Sequence, residues 1–400
     1  MALSDEQIDI ILLKGKALPN AHRRDLSVNY YEGWFFVTLN TRGYAPVLSE
    51  CVGNPHAKDG EADAPRCEYS ALGKGVMEAW KRSEEIYDNV IVDMAEAMPD
   101  HFHGLIYLKP GNKKHLGRII WGFMAGCSHA YWDILGIPWR EMTYVKGARA
   151  PEWQDSGHTL SKRGPALFVH GYNDMEAITE KEVEIKRAYI KDQARKRLIQ
   201  GDKHLCFIKR RNQHSRNWTM ERAMQAISND RFFRSNREAR ELAQMKVRTR
   251  LNIDARGICL DYVGNRGLLE AKWKLPLICH RADAELFEQQ KEAVLNAARD
   301  GAVIVSAFIS PKEREIREQL MVELLPFVEI MDNGFSEKHK PSGRAFYAMA
   351  EDRLTQVSCW DFLFQKDVEV CREMCLVMNE VARAITGVED DWWKQQASLS

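Results

Sequence analysis

Apolar and polar positions along the chain alternate between two periods, one of two residues and one near 3.6. Residues 34–40 (WFFVTLN), 90–97 and 101–108 read as strands, rich in β-branched and aromatic side chains. Residues 68–82 and 116–135 carry helical patterns, and between the first strand and the first helix lies a loop with Gly53, Pro55, Gly60 and Pro65. Residues 166–170 are a short strand candidate. Residues 179–198 read as one long helix opened by a Thr179/Glu182 capping box. The order β-α-β-β-α-β-α predicts an α+β, ferredoxin-like sheet covered by helices over residues 1–200.

Residues 201–255 turn basic, polar and helix-forming, as expected of a helical connector. Strands return near Ile258. Residues 302–308 (AVIVSAF) form an apolar run suited to a central parallel strand, and Ser310-Pro311-Lys312-Glu313 has the form of a helix start. Further strands at 327–331 and 354–360, with helices near 340–350 and 366–385, predict an α/β Rossmann-like domain over 256–400. No G-x-G-x-x-G occurs, which argues against dinucleotide binding. The Ser310 helix start and the Ser342-Gly343 turn, with Arg344 beside it, lie where parallel sheets bind anions.

Composition narrows the classes. With 45% apolar residues and 11 Trp, 12 Tyr and 15 Phe, the chain has the material for real cores. Residues 1–14 fit neither a signal nor a transit peptide, and the nine cysteines lack a disulfide framework, which predicts reduced thiols and a cytoplasmic setting with no membrane. Cys371 and Cys375, four apart, read as helix core because no further Cys/His cluster completes a zinc site. The 57 basic residues balance 57 acidic ones, yet residues 181–250 hold 20 Lys+Arg against 8 Asp+Glu. That stretch, interleaved with Phe207, Trp218, Phe232 and Phe233, has the composition of a single-strand nucleic-acid groove. A solvated helical connector would have the same composition.

Two constellations carry chemistry. Strand alternation puts His101 and His103 on one face with Phe102 in the opposite layer, a start for a divalent metal site. Twelve histidines in 400 residues give about 0.4 such pairs by chance, so the pair alone is weak. Tyr189 and Gln193, at i and i+4, share a helix face.

The stretch Met98-Pro99-Asp100-His101-Phe102-His103-Gly104 resembles the metal-binding strand of single-tyrosine HUH transposases, the REP-associated tyrosine transposases and their relatives. Residues 187–195 (RAYIKDQAR) resemble their nucleophile helix, and 168–174 the segment before it. The resemblance spans about residues 30–200. It departs at Gln193-Ala194, where related sequences often have Asn-Pro. It implies an HUH endonuclease domain in which His101, His103 and Gln193 hold Mg²⁺ or Mn²⁺. Tyr189 would cleave single-stranded or hairpin DNA through a 5′-phosphotyrosine. Lys186, Arg187, Lys191, Arg195, Lys196 and Arg197 are the expected DNA contacts. A homodimer would decide whether Tyr189 acts in its own subunit, and the setting would be nucleoid-associated. In residues 256–400, the stretches 305–311 (VSAFISP) and 333–344, from Asn333-Gly334-Phe335 through Lys340-Pro341-Ser342-Gly343-Arg344, resemble the C-terminal region of some long bacterial members of this group. Two other classes stay open: a non-catalytic DNA-binding regulator that retains the fold, and a nucleotide-processing enzyme centred on the C-terminal domain.

Overall fold

The computed structural model describes residues 28–140, 165–169, 171–337, 339–364 and 370–396. The expectations placed on residues 1–14, on His170 and on 366–369 lie outside them. The chain is a mixed α/β protein of two compact units that divide after Ile199.

In the first unit, β1 (Gly33–Asn40) is followed by a small hairpin of β2 (Ser49–Val52) and β3 (Arg66–Tyr69), then α1 (Ala71–Ile86). Strands β4 (Val90–Ala97) and β5 (His101–Leu108) lead to α2 (Leu116–Ile134), then β6 (Asn173–Ala177), α3 (Glu180–Lys191) and α4 (Gln193–Asp202). Four strands form an antiparallel sheet in the order β4-β5-β1-β6. One face packs Phe35, Val37, Phe102 and Ile106 against Trp80 of α1 and Phe123 of α2, and all six are buried. The other face packs Phe36 and Leu105 against Val183 and Ile190 of α3.

Three expectations in this unit are corrected. The strand after α2 is 173–177, not 166–170, where Phe168 makes a single bridge to Thr41. Sequence NDMEA has little apolar signal because β6 is an edge strand, with Asn173 and Met175 exposed and only Ala177 buried. The hairpin β2–β3 falls partly in the expected loop and partly in the expected start of α1; its Cys51 and Cys67 face each other across the strands. The long helix is interrupted at Asp192, which separates α3 from α4.

The second unit opens with β7 (Arg210–Gln213), then α5 (Met220–Asn229), α6 (Arg231–Ser235) and α7 (Arg237–Arg248). A short hairpin of β8 (Ile253–Asp254) and β9 (Gly257–Ile258) precedes β10 (Leu260–Gly264), α8 (Arg266–Glu270) and β11 (Lys274–Pro276). Then come α9 (Phe287–Arg299), β12 (Val303–Ser306), α10 (Pro311–Val322), β13 (Phe327–Ile330), α11 (Arg344–Ala350), β14 (Leu354–Ser358), α12 (Arg372–Thr386) and α13 (Trp392–Gln396). The six-stranded sheet runs β11-β12-β13-β14-β10-β7; the first four strands are parallel and the last two antiparallel to their neighbours. Every residue of β12 is buried, as its apolar run requires.

Residues 201–255 do not stand apart as a connector. Trp218, Ile227, Phe233 and Val247 belong to the core that α12 and the sheet build. The amphipathic spacing of those apolar residues was masked by the basic residues between them.

Near the chain's end, Asp390 binds His280 at 2.5 Å and Arg383 at 2.9 Å. Burial raises the Asp390 carboxyl, but those two donors more than offset it and hold it well below its ordinary value. The hydrogen bond to Asp390 raises His280. A raised histidine contributes stability below its unfolded value of about 6.5 and loses it as pH climbs through the folded value. Asp390→Asn should therefore cost more stability near pH 5.5 than near pH 9. With His280 about half exposed, the excess should stay below ~1 kcal/mol in paired urea titrations. An equal cost at both pH values would dissociate the pair from the histidine charge.

Candidate metal and tyrosine site

The site begins with the register of two central strands. Thr38 of β1 lies opposite His103 of β5, and Asn40 opposite His101. Alternation sends Phe102 into the packed layer, where it meets Trp80 at 5.1 Å between ring centroids. Both imidazoles stand on the other face, their centroids 4.6 Å apart.

Each ring is oriented through Nδ1. In His101, Nδ1 meets Asp100 Oδ1 at 2.7 Å; in His103, Nδ1 meets Thr38 Oγ1 at 2.9 Å. The tautomers that donate both Nδ1–H groups leave both Nε2 lone pairs for a cation, the arrangement in which a carboxylate or hydroxyl fixes a ligating histidine. His103 is 4% exposed, and burial, followed by the nearby His101, pushes it down to about 3, so its ring is neutral. Hydrogen bonding to His101, then Arg197, holds Asp100 down to about 2 against the effect of burial. Its second oxygen takes Arg197 at 3.1 Å. Neither Thr38 nor Asp100 stands out in the sequence as a functional residue; each is visible only as the neighbour of a histidine, by register or by one position.

Helix α3 brings Tyr189 to this face. Both halves of the Thr179/Glu182 capping box are formed, which fixes the helix start. Val183 and Ile190 anchor it on Phe36 and Leu105. The Tyr189 ring stands edge-on to Phe36 at 5.6 Å and to His103 at 5.4 Å. Burial raises its phenol above the ordinary value, and a hydrogen bond with the Gln193 side chain partly opposes this. A phenol held in its neutral form is a poor nucleophile without a nearby positive charge. The ammonium of Lys196 lies 5.3 Å from the ring centroid and is itself paired with Asp192 at 2.9 Å.

Gln193 is the first residue of α4, just past the break. Its amide nitrogen donates to the Tyr189 carbonyl at 3.0 Å. It lies beside Tyr189, as the i+4 spacing requires, and its side chain is turned back along the helix axis. The structure thus brings His101, His103 and Tyr189 together and ties Gln193 to Tyr189.

The six basic residues expected to contact DNA are all engaged within this unit. Arg187 binds Asp93 at 2.6 Å, and Lys191 binds Asp59 at 2.7 Å. Arg195 clamps the Pro55 and Ala57 carbonyls at 2.5 and 2.6 Å and also reaches Asp59. Lys196 binds Asp192, Arg197 binds Asp100, and Lys186 sits 5.2 Å from the centre of the Phe36 ring. Their positive charge is largely matched by carboxylates. In the second unit, the anion cradle expected at Ser310 is filled by the chain itself. The Glu313 carboxylate accepts from the backbone N–H groups of Cys279, Ile309 and Ser310, and Arg344 pairs with Glu318.

No helix among the described residues is long and apolar enough to cross a membrane. The chain matches no family model, and no curated protein matches it at a significant level.

Proposed function

We propose that the chain is a metal-dependent transposase or nuclease that cuts single-stranded DNA through a covalent phosphotyrosine at Tyr189. The observation that carries the reading is the histidine pair, each ring tethered through Nδ1, with the Tyr189 ring 5.4 Å from His103; the Nδ1–H tautomers would present both Nε2 atoms to a cation. The strand order β4-β5-β1-β6, with helices after β1 and β5, supports a ferredoxin-like HUH arrangement. The parallel run β11 to β14 supports a Rossmann-like second unit.

The donor set fits Mn²⁺ or Mg²⁺ held by His101, His103 and the Gln193 amide oxygen, the last after its side chain rotates away from the Tyr189 carbonyl. Such an ion supplies charge neutralisation at the scissile phosphate. The protein residues do the rest. Asp100 and Thr38 hold the imidazoles in place. Tyr189 Oη attacks phosphorus, its proton passes to water, and the P–O3′ bond breaks to leave a protonated 3′-OH. The 5′-phosphotyrosine keeps the ester's energy, so a second 3′-OH can reverse the step and join a new strand. Incubation of a labelled hairpin oligonucleotide with Mn²⁺ should give a denaturant-resistant protein–DNA adduct that EDTA prevents. Salt-sensitive binding without adduct would select a non-catalytic DNA-binding regulator instead. Small-nucleotide turnover without DNA would move the activity to the second unit.

The ion pairs on α3 and α4 carry a further expectation. Asp59 is exposed and holds both Lys191 and Arg195, which keep its carboxyl below the ordinary range. If a phosphate backbone follows these helices, it must compete with Asp59. Asp59→Asn should then tighten single-strand binding by about two- to tenfold at low salt and steepen its salt dependence. Unchanged affinity in a fluorescence-anisotropy titration would remove Lys191 and Arg195 from the DNA path.

A further inference from the structure

The second unit contains another convergence of ligating side chains, unconnected with His101 or His103. Edge strand β7 pairs with β10 so that Gln213 lies opposite Leu260. One step further along each strand stand His214 and Cys259. The β8–β9 hairpin pairs Ile253 with Ile258 and Asp254 with Gly257. The Cys259 N–H continues that ladder to the Asn252 carbonyl at 3.0 Å. Two separate backbone pairings therefore meet at Cys259.

The result is one nitrogen, one oxygen and one sulfur donor. His214 Nε2 lies 3.0 Å from Asp254 Oδ2, and the donor atoms of His214, Asp254 and Cys259 are all within 4.8 Å of one another. Among the described residues, no other group of three His, Cys, Asp or Glu donors meets this spacing. Cys259 is buried at the base, Asp254 is half-buried and His214 is the most exposed, so an ion can enter from the histidine side. In a tetrahedral zinc site, bonds of about 2.0–2.3 Å put neighbouring donors roughly 3.2–3.8 Å apart. The His–Asp pair is already near that spacing, and the sulfur, within 4.8 Å of both, reaches it with a shift of up to about 1.6 Å. Arg256, 3.5 Å from Asp254, is the cation that a metal would displace.

We propose that His214, Asp254 and Cys259 bind a borderline-soft divalent cation of the Zn²⁺ class. Thiolate sulfur selects against Mg²⁺ and Ca²⁺, which prefer oxygen. Three protein donors leave a fourth position for water or for the Asn212 carboxamide oxygen, 3.7 Å from the Cys259 sulfur. The ion would pin the edge strand β7 to the β8–β9 hairpin. An ordinary His–Asp ion pair explains the 3.0 Å contact but not the thiol that two ladders bring beside it. This site stands or falls independently of chemistry at Tyr189.

The test uses the full chain, stripped of metal with a chelator and titrated with Co²⁺ as the spectroscopic probe. One equivalent should raise a thiolate-to-cobalt charge-transfer band with tetrahedral d–d bands, both displaced by Zn²⁺. Cys259→Ser should abolish the charge-transfer band. His214→Ala and Asp254→Asn should weaken Co²⁺ binding at least about tenfold, whereas His101→Ala should leave the band intact. Because Cys259 is buried and its variant could misfold, the two more exposed variants decide the matter by themselves. Absence of the band in the native chain, its survival in Cys259→Ser, or unchanged affinity in His214→Ala and Asp254→Asn would overturn the proposal.

Discussion

Tyr189→Phe should leave the chain folded and abolish covalent capture of single-stranded DNA. Phenylalanine keeps the ring, and with it the edge-on contacts to Phe36 and His103. Only the hydroxyl is lost, a group whose burial already disfavours its charged form. The stability change should stay within about 1 kcal/mol, the scale of one hydrogen bond. The chemical effect is of another order. Without Oη no atom can form the phosphotyrosine, so adduct yield should fall by at least ~10³-fold, to background. Denaturing electrophoresis with labelled DNA reads the yield, and thermal unfolding reads the fold. Full adduct in the phenylalanine variant would assign the attack to a different residue and end the proposed role of Tyr189. Gln193→Ala is the companion measurement. If the Gln193 amide oxygen is a ligand, this variant should need several-fold more Mn²⁺ for the same yield. If Gln193 only braces the Tyr189 carbonyl, the metal requirement should not move.

How much of this could be read in advance depends on where each signal resides. Strands β1, β4 and β5 were legible from their β-branched and aromatic content, and the shared face of His101 and His103 from the two-residue period of a strand. Strand β6 was not, since an edge strand of sequence NDMEA carries little apolar contrast. The break at Asp192 was invisible too: its backbone N–H still bonds Ala188, so the local pattern stays helical across it. The basic stretch was legible only as a charge count. Counting charge along the chain weighs Arg187, Lys191, Arg195 and Arg197 as unpaired. Their partners Asp93, Asp59 and Asp100 lie roughly a hundred residues away. Only the tertiary fold brings the two together, and then much of the apparent excess is neutralised locally. The His214/Asp254/Cys259 group escaped notice for a related reason, its spacing matching no metal motif because sheet pairing assembles it.

The histidine strand is also held from behind, and the largest loss of stability should come from there. Trp80 is 1% exposed, packed edge-on against Phe102 at 5.1 Å and Phe123 at 5.0 Å. Truncation to alanine should cost about 3–5 kcal/mol, through lost transfer energy and the cavity left behind. Trp80→Phe should cost far less. The indole N–H is buried without a hydrogen-bond partner among the described residues, so its removal offsets part of the lost contact. Gly104 explains why the site tolerates no further bulk. A Cβ there would stand 2.6 Å from Trp80 Cζ2 and 2.8 Å from Phe102 Cε1. Gly104→Ala should therefore cost about 1–3 kcal/mol and displace β5, on which His103 is the preceding residue. Two of the three nearest atoms, Trp80 Cζ2 and Cη2, belong to the six-membered indole ring, which phenylalanine withdraws, while Phe102 Cε1 stays. In the double variant Gly104→Ala/Trp80→Phe the two costs should fail to add, with a coupling of about 1 kcal/mol or more in the favourable direction. Urea unfolding of the four proteins measures the cycle. Simple additivity would mean that β5 is not pressed against Trp80, and that the histidine pair owes its position to Thr38 and Asp100 alone.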